Sequence, residues 1–212
     1  TYTRLRDLPV ERAAGQLAVV GRTLHYFGGT NVERNLNTPE HWALELDTPN
    51  ANWQVKAPLP NARHHLGAIT YNGKIYVVGG QRGHDGQLVP QDDVHVYDPA
   101  TNTWTQLADL PQARNHIISA TLLRGDQIIV VGGQLNHGAP RDTVFVYDIS
   151  DNVWTASTPL PRARHSGVAG IIGDKIYFTT GVGKNPADET KNLTADNTYV
   201  GTITSRFDEV RQ

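Results

Sequence analysis

The sequence predicts an all-β protein of four repeated units, each a sheet of four short antiparallel strands. Three observations predict it. The dipeptide Leu-Pro recurs at Leu8-Pro9, Leu59-Pro60, Leu110-Pro111 and Leu160-Pro161, at spacings of 51, 51 and 50 residues. An Arg follows each of them: Arg12, Arg63, Arg114 and Arg164. A strand-like run ending in small residues comes next, HYFGG at 25–29, IYVVGG at 75–80, IIVVGG at 128–133 and IYFTTG at 176–181. In three units a second run, WALELD at 42–47, VHVYD at 94–98 or VFVYD at 144–148, and then Trp53, Trp104 or Trp154 follow in the same register. No segment sustains a 3.6-residue period, which excludes a helical solenoid.

The second unit shows how each element arises. LGAITY at 66–71 is small and apolar, and Asn72-Gly73 after it is a type I′ hairpin signal. KIYVV at 74–78 is β-branched and aromatic, suited to a strand buried on both faces. Gly79-Gly80 ends it, where backbone geometry forbidden to side chains is available. VHVYD alternates, residues 98–102 (DPATN) are turn chemistry, TWTQL at 103–107 is an outer strand, and Pro111 closes the unit. One such sheet cannot bury both its faces alone. Radial stacking solves this, each sheet covering its neighbours as in a β-propeller, and the recurring Trp supplies apolar area to the contact.

These residues resemble the kelch repeat, whose period is about 50 residues. The matching features are the doublets Gly28-Gly29, Gly79-Gly80 and Gly132-Gly133, the Tyr before the Asp at 97–98 and 147–148, and the spaced Trp. The likeness is greatest to a secreted bacterial branch that includes the central domain of galactose oxidase, and it implies an extracellular or periplasmic location. It divides the chain into residues 1–9, an outer strand of a preceding or closing blade; four blades at 10–57, 58–108, 109–158 and 159–212; and a fourth blade that departs from the pattern. There Thr180-Gly181 replaces the Gly doublet, no Trp follows, the third strand is expected at 197–204, and 205–212 is a polar end. Propellers of this kind usually carry six blades. Two accounts stay open: residues 2–8 complete the fourth unit and close a small ring, or blades lie upstream and the chain is the C-terminal part of a six-bladed ring. The second is preferred, because kelch wedges are shaped for larger rings and the first residue is Thr1, not Met. An open arc would expose apolar blade faces and associate with the missing blades or with another copy of the chain.

Composition narrows the function. Nineteen Lys and Arg against 21 Asp and Glu leave a net charge of −2, with no basic run to track a nucleic acid. No apolar stretch approaches the roughly 18–20 residues of a membrane span. Cysteine is absent, so a copper site with a Cys–Tyr crosslink of the galactose-oxidase type cannot form in this chain. No cofactor is expected, and no metal: His64-His65 and His84-Asp85 lack zinc spacing, and Asp85, Asp92 and Asp93 lack a calcium-loop pattern.

Strand order puts the loop after Leu-Pro and the loop after Gly-Gly on one face, where the family commonly binds ligands. Those loops carry six of the nine histidines. The candidate ligand-binding set is Arg63, His64, His65, Arg82, His84, Arg114, His116, His137, Arg164 and His165. Arg suits bidentate recognition of carboxylates, and His gives neutral hydrogen bonds. A residue repeated in every blade is more readily architectural, so bracing is preferred for the four Arg residues, and the informative positions are those that differ between blades. His65 and His116 share a position filled by Ala14 and Ser166 elsewhere, and His84 and His137 lie in unlike loops. The expected function is a non-catalytic platform for a protein or glycan ligand. The alternatives are an enzyme like the kelch-type sialic-acid mutarotase, for which no partner Glu is evident, or a structural assembly subunit. Asn192-Leu193-Thr194 also matches a glycosylation sequon.

Overall fold

The computed structural model describes residues 1–203. The first blade is the sheet β1 (Gln16–Val20), β2 (Thr23–Phe27), β3 (His41–Glu45) and β4 (Gln54–Val55). The second holds β5 (Gly67–Tyr71) and β6 (Lys74–Val78), a two-stranded ribbon of β7 (Gln81–Arg82) and β8 (Val89–Pro90), then β9 (Val94–Asp98) and β10 (Thr103–Gln106). The third is β11 (Thr121–Arg124), β12 (Gln127–Val131), β13 (Val144–Asp148) and β14 (Val153–Ser157). The fourth starts with β15 (Val168–Ile172) and β16 (Lys175–Thr179), makes a separate hairpin of β17 (Val182–Asn185) and β18 (Asp188–Thr194), and returns as β19 (Thr198–Thr202). Every pairing is antiparallel, and Asn72 and Gly73 both have positive φ, 46° and 73°, as a type I′ turn requires.

The fourth blade thus has three strands among the described residues, its third strand lying within the expected 197–204. The expected polar end at 205–212 lies outside the described residues. Residues 1–8 carry no strand, unlike the outermost strand expected at 2–8; residues 3–6 share a cavity with Leu44–Leu46 of blade one and the Arg6 carbonyl bonds Trp53.

The core is not one mass but three seams between successive blades. Phe27, Leu66, Ile75, Val77 and Tyr97 fill the first; Val78, Val94, Ile117, Ile128, Val130 and Tyr147 the second; Ile129, Val131, Val144 and Phe178 the third. Seams one and two share one construction. Tyr97 and Trp104 of blade two lie 5.0 Å apart by ring centroid, as do Tyr147 and Trp154 of blade three at 4.9 Å. The Trp104 indole donates to the Ala57 carbonyl of the preceding linker at 2.9 Å, and Trp154 to Ala108 at 2.8 Å. Asn102 and Asn152, held at positive φ, each accept from the linker N–H, Ala57 or Ala108, and from the Tyr hydroxyl of their own blade. Trp53 makes the same bond to the Arg6 carbonyl at 3.0 Å, so residues 1–8 keep the register of a linker.

The Gly doublets have a stated reason. The second Gly donates its N–H to the Arg carbonyl of the next blade: Gly29 to Arg63 at 3.1 Å, Gly80 to Arg114 at 2.7 Å, Gly133 to Arg164 at 2.8 Å. That bond brings the carbonyl onto the first Gly, where a Cβ would stand 2.6, 2.4 or 2.6 Å from it at Gly28, Gly79 and Gly132. Thr180 occupies the first-Gly place in blade four at φ 62°, and among the described residues no further Arg carbonyl meets it.

Candidate functional site

The loops that enter the innermost strands meet at the narrow ends of the blades. In each, the second residue after the conserved Arg has left-handed backbone: Ala14, His65, His116 and Ser166, with φ of 56°, 54°, 55° and 53°. Small or polar side chains tolerate this region better than bulky branched ones. The conformation lets each such residue donate its N–H to the equivalent carbonyl one blade back: His65 to Ala14 at 3.0 Å, His116 to His65 and Ser166 to His116 at 3.1 Å. A ladder of bonds therefore crosses the blades, and the His65 and His116 side chains at its two middle rungs face a shared cavity of about 140 Å³.

Arg34, His65, Gln81, His84, Asp85, His116, Gln134, His137, His165 and Asn192 line that cavity. The imidazoles pack as a set. His64 stacks on His84 at 4.3 Å and 9° between planes, His65 on His116 at 4.3 Å and 24°, and His165 meets His116 edge-on at 5.4 Å. His64 and His65 share a hydrogen bond between their Nδ1 atoms at 2.6 Å, His116 Nδ1–H donates to Asn115 Oδ1 at 2.6 Å, and Arg34 reaches His84 Nδ1 at 3.1 Å. Burial is the first cause of a common shift, reinforced by the neighbouring imidazoles. It pushes His64, His116 and His165 down to about 4 and His65 to about 3, and it lowers His84 as well. These five rings are neutral at pH 7 and offer both donors and acceptors.

Several polar atoms here lack a protein partner. Among the described residues, seven buried side-chain atoms have no hydrogen bond; Gln81 Oε1 and His84 Nε2 belong to residues that line this cavity, while His64 Nε2 and Asn115 Nδ2 belong to neighbours of the lining residues His84 and His116. Leaving a buried polar group unpaired costs about 1–3 kcal/mol, which a bound group that supplies the partner would recover.

The histidines expected at the site are brought together, while none of the four candidate arginines lines the cavity. Arg63 and Arg114 are fully buried and Arg164 nearly so. Arg63 donates from Nε to the Gly79 carbonyl at 2.7 Å, from Nη1 to Pro60 and from Nη2 to His95. Arg114 makes the same Nε bond to Gly132, donates to Ala113 and to the Thr143 hydroxyl, and stacks its guanidinium 5.2 Å from the Phe145 ring centre. Burial lowers both to about 10, which leaves them charged at neutral pH. Arg164 donates to Ala163 and Asn197. The hydrogen bonds of Arg63 and Arg114 stay inside the blade, as do those of Arg164 apart from its unpaired buried Nε, so these three members of the candidate ligand set act as the braces preferred from the repeat. Arg82 stands exposed on β7 and does not line the cavity. Asn192, legible in the sequence only as part of a sequon, reaches the cavity because the β17–β18 hairpin folds back over the loop at Gly138. No arrangement of three or more His, Asp or Glu suited to a metal ion occurs among the described residues.

Comparison with known proteins fits this architecture. A family profile described as the KLHDC2/KLHL20/DRC7 Kelch-repeats domain matches residues 3–181. The chain is a kelch-repeat protein. It is 27% identical over 149 residues to the Kelch repeat-containing protein At3g27220 of Arabidopsis thaliana, covering 63% of this chain and 34% of that one. It is 33% identical over 136 residues to the N-acetylneuraminate epimerase of Pasteurella multocida, covering 62% and 33%, and 31% identical over 129 residues to that of Haemophilus influenzae (strain PittEE), covering 60% and 32%. This kelch chain spans about a third of the length of these curated relatives. The solved structure titled "Structure of YjhT", a kelch β-propeller, superposes with a TM-score of 0.69 at 19% identity, covering 95% of this chain and 68% of that one. The likeness at that identity is one of fold.

Proposed function

We propose that this kelch chain is a non-catalytic binding platform whose cavity at the narrow ends of the blades takes a carbohydrate. The observation that carries the reading is one small polar cavity that His65, His116, His137 and His165 line together with Gln81 and His84, whose buried Oε1 and Nε2 are unpaired. Neutral imidazoles and amides match hydroxyl groups, which donate and accept in turn. The stacked rings give the flat apolar surface that the C–H faces of a sugar cover. The epimerase names of two relatives support a sugar over a protein ligand. Glycan-array binding with purified protein tests it. His65→Ala and His116→Ala are expected to abolish binding while preserving the fold, since Ala14 already shows Ala accommodated at that backbone position. Unchanged binding by both variants sinks the site.

An epimerase-like activity on a sialic acid is the second reading, favoured by the same relatives. Its electrostatics are thinner. Arg34 is the one guanidinium lining the cavity, and it is shared with Asp85 at 3.5 Å. An NMR assay of anomer exchange on N-acetylneuraminate decides between the two: acceleration that is lost in Arg34→Ala establishes the enzyme. An extracellular or periplasmic setting suits a glycan ligand, and fractionation of the native host tests it; among the described residues no helix is long and apolar enough to cross a membrane.

A further inference from the structure

Seam one, between two four-stranded sheets, departs from the other seams at one patch. In register, His25, Ala43, His41 and Lys56 of blade one take the places of Tyr76, Val96, Val94 and Leu107 in blade two, and of Ile129, Val146, Val144 and Ser157 in blade three. The four positions are apolar in seam two, and apolar apart from Ser157 in seam three. Seam one makes three of them polar and shrinks the fourth from Val to Ala. A cavity of about 180 Å³ lies there, lined by Thr23, His25, Ala43, Glu45, Lys56 and Tyr97 among others. None of these residues lines the axial histidine cavity.

Two opposite charges face this cavity without an ionic partner. In blade two Lys74 pairs with Asp98 at 3.0 Å. In blade one Thr23 stands where Lys74 does and Glu45 where Asp98 does. Glu45 accepts from the Thr23 hydroxyl at 2.8 Å, and among the described residues no cation pairs with it. Lys56 reaches the Gln54 amide oxygen at 3.5 Å and no carboxylate among those residues. Ala43 lies midway, two residues along β3 from Glu45 and two from His41, the backbone partner of Lys56. Behind them stands a fixed acceptor. The Ala57 carbonyl accepts from His41 Nδ1, and His41 Nε2 accepts from His25 Nδ1. His25, only 2% exposed, therefore keeps a lone pair on Nε2 that no hydrogen bond among the described residues takes up. Burial first and the Lys56 charge next push His25 to about 4, so at pH 7 it stays an acceptor.

We propose that this cavity between blades one and two binds a small zwitterion of the α-amino-acid class, its ammonium on Glu45 and His25 Nε2 and its carboxylate on Lys56. A ligand with an ammonium alone leaves Lys56 unpaired, and one with a carboxylate alone meets Glu45 unpaired. A zwitterion satisfies both charges with charge-assisted hydrogen bonds, and its ammonium supplies the donor that the His25 lone pair lacks. The cavity is smaller than the roughly 300–1,000 Å³ that holds a drug-sized ligand, so the side chain of the amino acid is short. The site stands apart from the axial cavity, and the proposal does not rest on what that cavity binds.

NMR titration of the full chain with serine tests this at the Trp104 indole N–H, whose ring lies 5.0 Å from Tyr97 and 5.7 Å from His41. A saturating shift of that signal is expected with serine and glycine, and none at the same concentrations with lactate, ethanolamine or glycerol. Lys56→Leu, which copies Leu107, should weaken serine binding by about tenfold or more, the scale of one charge-assisted hydrogen bond. Ala43→Val, which copies Val96 and Val146, should abolish it without lowering the melting temperature. His65→Ala in the axial cavity should leave it unchanged. No saturating shift with serine, an equal response to lactate, ethanolamine or glycerol, or full binding by both Lys56→Leu and Ala43→Val would each overturn the proposal. So would a serine response lost in His65→Ala and kept in Ala43→Val, which would move the ligand to the axial cavity.

Discussion

Seams two and three differ in what closes them. At seam two Tyr147, Trp154 and Asn152 fill the rim, and three hydrogen bonds, from the Trp154 indole, the Ala108 N–H and the Tyr147 hydroxyl, lock the linker to the outer strand. At seam three Gly201, opposite Ile176 as Tyr147 is opposite Ile128, stands in the place of the Tyr, no strand pairs with the outer side of β19 among the described residues, and there is a cavity of about 260 Å³. The inner half of both seams is alike: the ladder bonds, the second-Gly N–H to the Arg carbonyl (Gly80 to Arg114 at seam two, Gly133 to Arg164 at seam three), and the packed Ile and Val. A blade therefore holds its neighbour by two devices, a backbone device near the axis and an aromatic device at the rim, and the described residues of blade four show only the first.

The sharpest way to break the contrast is to remove the aromatic device where it exists. Trp154→Ala should cost about 3–5 kcal/mol, the range for emptying a large aromatic site, and should lower the denaturation midpoint accordingly. If seam two survives this loss as well as seam three survives without any Trp, the rim device is not what holds it. A smaller test exchanges the Gly positions. Gly132→Ala places a Cβ 2.6 Å from the Arg164 carbonyl at φ 66° and should cost about 1–3 kcal/mol. Thr180→Gly relieves a β-branched residue of φ 62° with no carbonyl opposite, and should raise stability by about 1–2 kcal/mol. Thermal unfolding of the pair reads both signs at once.

Much of this was legible in the sequence, because a repeat announces what every unit must do. Leu-Pro, the Arg, the Gly doublet and the Trp gave the blade, and the departures in unit four marked the blade that differs. The histidine set was legible for the opposite reason: His65 and His116 stand at a repeated position whose other occupants are Ala14 and Ser166. What stayed hidden depends on contacts across blades. An Arg reads alike as ligand contact or brace until its partners are seen, and Arg63 and Arg114 spend their donors on carbonyls that no sequence pattern names. Asn102 and Asn152 read as turn residues, and only the fold shows them bonding a linker about 45 positions away. Asn192 reached the cavity through the β17–β18 hairpin, which is longer than its counterpart β7–β8 in blade two.

Seam one offers the gentlest test, by pH. His25 and His41 occupy the places that Tyr76 and Val94 hold in seam two. The Ala57 carbonyl can only accept, so His41 carries its proton on Nδ1, its Nε2 accepts, and His25 Nδ1–H donates to it at 2.9 Å. Burial first, and for His25 the nearby Lys56 charge next, push both to about 4. Glu45, Tyr97 and Lys56 share their small cavity. The unfolded chain holds these imidazoles near the ordinary value of about 6.5, so between about pH 6.5 and 4 it binds more protons than the folded chain. Stability from this pair is therefore whole above pH 6.5 and falls as the solution is acidified toward 4, by opening seam one before seam two. In a His25→Tyr, His41→Val double variant, which copies seam two, the denaturation midpoint should drop less between pH 7.5 and 5 than in the parent. The remaining slope belongs to the histidines of the axial cavity and to His95, which burial first and the Arg63 charge next push to about 4, and an unchanged slope in the variant would place the acid sensitivity with those groups.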